Sequence, residues 1–185
     1  MRYYKKISAL IALLCVCTLV MAAGNSISIK SAELADMDTA YELNADFDIH
    51  FDEGLAEAIN KGVPLAFIIE FQIVKPRQYW FDDEIITVTK HINLNYHALT
   101  RQYLVSDDSH QKSFETLSEA RQQLMLLRDW RVAAKNLLDK EERYQAALLM
   151  RLDKTKLPKA IQVDAIGSTD WNLASPIFRW SLKDL

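Results

Sequence analysis

From Tyr41 to Phe51 apolar and polar residues alternate without a break. Tyr41, Leu43, Ala45, Phe47, Ile49 and Phe51 fall on one side, and Glu42, Asn44, Asp46, Asp48 and His50 on the other. A period of two places successive side chains on opposite faces of a strand, so this run predicts a strand with one dry and one wet face. Such strands belong to antiparallel sheets. The preceding "SIKSAELAD" predicts its neighbour, turning at Asp36 to Asp38. "PLAFIIEFQIV" is apolar on both sides in its first half, as in a central strand covered on both faces. "EIITVTKHINLNYHA" turns Ile86, Val88, Ile92, Leu94 and Tyr96 inward, and "TRQYLVS" returns as a short strand. Two further strands are expected in "RVAAKNLL" and "RYQAALLMRLD", around the charged turn "DKEER". In the closing "DWNLASPIFRWSLK", Pro176 predicts an edge position or a bulge.

Helix signals are fewer and local. Asp52 is placed to cap "DEGLAEAINKG", which Gly62 stops. Thr116-Leu117-Ser118-Glu119 forms a capping box, and the spacing of Leu117, Ala120, Leu124 and Leu127 predicts a helix continuing to Arg128. Pro158 suits the first turn of a third helix ending at Gly167. Strand-rich order with inserted helices predicts an α+β domain, predominantly antiparallel β. We expect seven to nine strands in a sandwich or strongly curved sheet, with two or three short helices.

The first residues change the expected compartment. Arg2, Lys5 and Lys6 precede an apolar run from Ile7 to Met21, and Val20-Met21-Ala22 has the small residues of a cleavage site. A span of that length is short for a membrane crossing, which needs about 20 residues. A signal peptide over 1–22 is therefore expected, followed by one domain over 23–185; an uncleaved anchor with the domain on the periplasmic side is the alternative. Both cysteines, Cys15 and Cys17, lie inside the apolar run, so a mature chain would hold no disulfide, thiol nucleophile or cysteine metal site. Loss of Arg2, Lys5 and Lys6 changes 22 basic residues against 25 acidic to 19 against 25, a net of −6. That balance argues against a general nucleic-acid binder.

Candidate chemistry is sparse. Only four glycines are present, and no phosphate-binding loop, nucleophile elbow or His-Glu-x-x-His pattern occurs. Asp46, Asp48 and His50 share a strand face, but same-face neighbours stand nearly 7 Å apart, so a solvated face is expected and no metal site. His91 and His97 line a polar strand face with Thr87, Thr89, Asn93 and Asn95, and His110 stands in a polar loop. No catalytic set and no cofactor site is expected. The tryptophans carry a recurrent theme: Trp80 lies near Arg77 and Asp82, Trp130 near Arg131, Trp171 near Asp170, and Trp180 beside Arg179. Arginine over indole is a favourable pair and both residues are enriched at binding hot spots. The set Arg77, Tyr79, Trp80, Asp82, Arg101, Trp130, Arg131, Trp171, Arg179 and Trp180 is thus either a recognition patch or an end-cap of the sheets. The expected pairing places Arg77 or Arg101 against Trp80 or Asp82.

The stretches "GVPLAFIIEFQIVKPRQYWFDDEI", "NYHALTRQYLVS", "SFETLSEA", "RDWRVA", "YQAALLMRLDKTKLPKAIQV" and "STDWNLASPIFRW" occur in an order that resembles the DUF4390 family of exported proteobacterial proteins. The resemblance covers nearly all of the chain after the expected signal. It implies a single exported domain, and the genomic neighbourhood associated with the family implies a membrane sensor kinase as a partner. Residues and resemblance together predict a non-enzymatic periplasmic binding or accessory module for an envelope or signalling protein. The alternative is a binder of small or lipid-like ligands, with a pocket between sheet and helices.

Overall fold

The computed structural model describes residues 24–77, 82–139, 141–168 and 170–182. Nine strands are present among them: β1 Ser26–Asp36, β2 Ala40–His50, β3 Leu65–Lys75, β4 Asp83–His97, β5 Gln102–Ser106, β6 Gln111–Phe114, β7 Leu126–Ala134, β8 Tyr144–Leu152 and β9 Phe178–Leu182. Three α-helices are inserted: α1 Glu53–Asn60, α2 Leu117–Leu124 and α3 Lys159–Gly167. All strand pairs are antiparallel, in a three-stranded sheet ordered β1-β2-β7 and a six-stranded sheet ordered β6-β5-β4-β3-β8-β9. The expected α+β class with mostly antiparallel β is what the chain adopts.

One core joins the sheets. The dry face of β2, with Tyr41, Leu43, Phe47 and Ile49, belongs to the same buried cluster as Phe67, Ile69, Phe71 and Ile73 of β3 and Leu148 and Met150 of β8. Register explains why these side chains meet: Phe67, Ile69 and Phe71 lie opposite Leu152, Met150 and Leu148 on one side, and opposite Ile92, Lys90 and Val88 on the other. Ahead of β9 in the chain, Leu173 and Ser175 already run along β8, with Leu152 N–H donating to Leu173 O and Ser175 N–H to Met150 O, both at 2.8 Å.

The helix signals act as the sequence predicts at their starts. Asp52 accepts from Leu55 N–H at 2.7 Å, and the Thr116–Glu119 capping box is closed in both directions. Gly62 adopts φ +90°, a left-handed conformation natural to glycine, just past the end of α1. The end of α2 differs from expectation. It stops at Leu124 and β7 begins at Leu126, where a helix continuing to Arg128 was expected. The cause is tertiary: Met125 O accepts Phe47 N–H at 2.8 Å, which ties the chain to β2 and turns Leu126 onward into the small sheet. A left-handed Asp129, φ 52°, whose N–H donates to Asn44 Oδ1 at 2.9 Å, makes a bulge there. The strand expected at "RVAAKNLL" accordingly ends at Ala134 and gives way to a 3-10 turn, Lys135–Leu137. Strand β6 was not foreseen.

Candidate functional site

The inner face of the large sheet should be apolar throughout, and it is not. Strand β4 presents Ile86, Val88, Lys90, Ile92 and Leu94 at successive inward positions, with Lys90 directly opposite Ile69 of β3. On β5, Val105 pairs with Leu94, and Lys112 of β6 pairs with Val105, so Lys112 is also on the inward side. Asp107 follows Val105 at the same parity just after β5 ends. Two lysines and a carboxylate therefore interrupt an otherwise apolar face at one corner.

That corner is a cleft of about 480 Å³. Ile92 and Val105 of the large sheet line it together with Leu126, Leu127 and Arg128 of β7, Gln123 of α2 and His110 of the loop after β5. Lysine heads must reach water or a counter-charge, and at this corner the cleft and Asp107 supply both. The volume lies within the range of small-molecule sites. Leu126, 47 % exposed, is a large apolar side chain left at the rim. A second groove of about 470 Å³ shares Leu126 and runs past Lys30, Asp46 and Met125.

The polar groups of the cleft are ordered by specific bonds. Lys90 Nζ stands 2.7 Å from Asp107 Oδ2, with both side chains only about a fifth exposed, 22 % and 21 %. Asp107 Oδ1 accepts the backbone N–H groups of Ser109 at 2.9 Å and His110 at 2.8 Å. Burial pushes the Asp107 pKa up, but the Lys90 ammonium and the two backbone donors outweigh it, and the carboxyl falls from 3.8 to about 2. Arg128 is tied to the protein: one nitrogen donates to Ala45 O and Leu127 O at 2.8 Å, and another to Asp46 Oδ1 at 2.5 Å. That arginine, through its hydrogen bond, and then Ser31 hold the Asp46 carboxyl below its ordinary pKa. Lys112 reaches only a neutral partner, Gln123 Oε1 at 3.4 Å, and among the described residues no carboxylate pairs with it. The cleft thus carries Lys90, Lys112 and Arg128 against one carboxylate of its own.

The residues singled out from sequence are dispersed. Arg77 lies in the β3–β4 connection, where its guanidinium pairs with Asp83 and its backbone N–H donates to Asp82 Oδ1 at 3.2 Å. The expected pairing of its side chain with Asp82 is therefore displaced by one residue. Tyr79 and Trp80 lie outside the described residues. Arg101, left-handed at φ 54°, is in the β4–β5 turn at the other end of β4, and so far from Arg77. Trp130, Trp171 and Trp180 each pack, partly buried, against the core. Trp180 lies on the inward side of β9, with its ring 6.0 Å from Phe71 and 5.5 Å from Phe178, while neighbouring Arg179 points outward opposite Ala147. Arg131 is exposed on β7, opposite Glu42. Among the described residues the set does not form one patch, and its three placed tryptophans plug the sandwich. Asp46 and Asp48, weighed as metal ligands, are held by Arg128 and Lys30. Among the described residues no group of three metal-ligating side chains converges, and no helix is long and apolar enough to cross a membrane. His91 lines a groove with Pro64, Ala66, Asn93, Asn95 and Lys156, and His97 bonds Thr100 in its turn.

Lys90 was legible but not read: it sits between Val88 and Ile92 on the apolar side of "EIITVTKHINL". Lys112 had no such signal, because the short strand β6 carries no alternation of its own. No curated protein and no solved structure matches the chain. The sequence profile described as "Domain of unknown function (DUF4390)" matches residues 24–181, and the chain belongs to that family.

Proposed function

We propose that this domain is a non-enzymatic binding module acting outside the cytoplasm, and that its binding site is the cleft between the inner face of β4–β5–β6, helix α2 and the start of β7. The observation that carries this reading is the cleft itself: Lys90 and Lys112 stand at inward positions of the large sheet beside Ile92 and Val105, and Leu126, 47 % exposed, lines the same cleft. Sequences break their own hydrophobic pattern most often where function requires it. Asp107, the carboxylate of the cleft, is committed to Lys90 and to two backbone N–H groups, which suits a fixed charge that orders a binding site. Export is supported by the apolar run at Ile7 to Met21 behind its basic residues.

The test uses Nile red, a neutral apolar dye whose emission rises on leaving water. Saturable binding with one site per chain is expected, weakened at least fivefold by Leu126→Asp, which places a charge on the rim without touching the core. No saturable binding, or equal binding by the variant, overturns the reading. A second reading, an accessory module docking on an envelope or sensor protein, has β1 in its favour. That strand runs 11 residues and among the described residues pairs only with β2, leaving an edge that an extended segment of a partner can continue. A photo-crosslinker at position 30 that joins the chain to the sensor protein in intact cells supports it, and the absence of that product opposes it.

A further inference from the structure

We infer that the cleft selects an organic anion, specifically a carboxylate carried on an alkyl or aryl body, with Lys112 as the residue that meets the charge. The inference rests on the cleft being the binding site and adds what the ligand must be. Three cations line the cleft, and two are already neutralised from within the protein: Lys90 by Asp107 at 2.7 Å and Arg128 by Asp46 at 2.5 Å. Among the described residues Lys112 has only the amide oxygen of Gln123, at 3.4 Å. Lys112 is exposed, and its register on β6, opposite Val105, sets it among the residues that line the cleft. A ligand lying on Ile92, Val105 and Leu126 excludes water from one side of that ammonium. The pairing then gains what a bulk-exposed pair lacks, since charge interactions strengthen as the local dielectric falls.

The same lining discriminates against other charges. A cation entering the cleft meets Lys90, Lys112 and Arg128 and finds the one carboxylate, Asp107, already bound to Lys90 and to two backbone N–H groups. A neutral ligand gains the apolar lining but leaves Lys112 with a poorer environment than water. The overall charge of the chain is −3, so the attraction is local to this corner and not a property of the whole surface. Because one compact ammonium in the cleft has no carboxylate partner among the described residues, the fit is to one singly charged head group.

The experiment is displacement of Nile red from the full domain by octanoate, 1-octanol and octylamine, which share a body and differ in head charge. Octanoate is expected to compete at least tenfold better than octanol, and octylamine not at all. Lys112→Met should remove the octanoate preference, and Lys112→Arg should retain most of it. Circular dichroism and thermal melting confirm that both variants fold, as expected for an exposed side chain. Equal competition by octanoate and octanol overturns the anion inference while leaving the cleft as the binding site. An unchanged octanoate preference in Lys112→Met overturns the role of Lys112. If Nile red itself does not bind, the cleft reading fails and this inference fails with it.

Discussion

Replacing Asp107 by asparagine tests whether the ion pair at the cleft is as organised as its geometry implies. The carboxyl is bound to Lys90 and two backbone N–H groups, and its pKa falls from 3.8 to about 2. A shift of that size corresponds to about 2 kcal/mol of folding stability, at 1.36 kcal/mol per pH unit. With the side chain 21 % exposed, solvent screening removes little of it. Asparagine retains an oxygen for the backbone donors, so the expected loss at pH 7 is about 1–2 kcal/mol. The pH dependence is the sharper readout. A carboxyl whose folded pKa is depressed stabilises the fold fully above its unfolded value of 3.8, and the benefit is lost as pH falls through about 2. Urea unfolding of both proteins at pH 7, 5, 3 and 2 should therefore give a difference that is constant from 7 to 5 and shrinks from there to pH 2. Other carboxylates titrate equally in both proteins and cancel in the difference. No gap at pH 7, or a gap that persists undiminished at pH 2, would refute the reasoning.

Trp130→Ala should cost about 2–3 kcal/mol, below the range of a fully buried aromatic because the side chain is only partly buried against the core; an unchanged melting temperature would instead make Trp130 a surface recognition residue. Thr116→Ala opens the capping box of α2 and should lower stability by about 1 kcal/mol in chemical denaturation, with faster amide exchange over residues 117–124. Gly62→Ala places a Cβ at φ +90° and should cost about 1 kcal/mol or more, although nothing lies within 4 Å of the new atom, so a neutral result would show that the turn after α1 relaxes.

Much of this fold could be read along the chain, and the reason is physical. In β2 the period of two is unbroken and one face is dry, so the strand, its face and its antiparallel setting all follow from neighbours in sequence. The starts of α1 and α2 were legible because Asp52 and the Thr116–Glu119 pair act within three or four residues. The end of α2 was not, since the decisive bond is between Phe47 and Met125, 78 positions apart. The same holds for the candidate site. Lys90 showed itself as a charge at an apolar parity, but its meaning depends on Asp107, Lys112 and Arg128, which three separate strand pairings bring to one corner. The aromatic–arginine theme was legible as composition and misleading as geometry: alternation along β9 sends Trp180 inward and Arg179 outward. A shared neighbourhood in sequence does not make a shared surface.

The most direct test of the central claim is a nuclear magnetic resonance titration of the isotopically labelled domain with octanoate, following backbone amides and lysine side-chain signals together. Saturable shifts of Lys90, Ile92, Val105, Lys112 and Leu126 are predicted, while the outer-face residues Thr89, Asn93 and Arg179 stay still. Shifts confined to the outer face or to the β1 edge, or no saturable shift anywhere, would contradict the assignment of the cleft as the binding site.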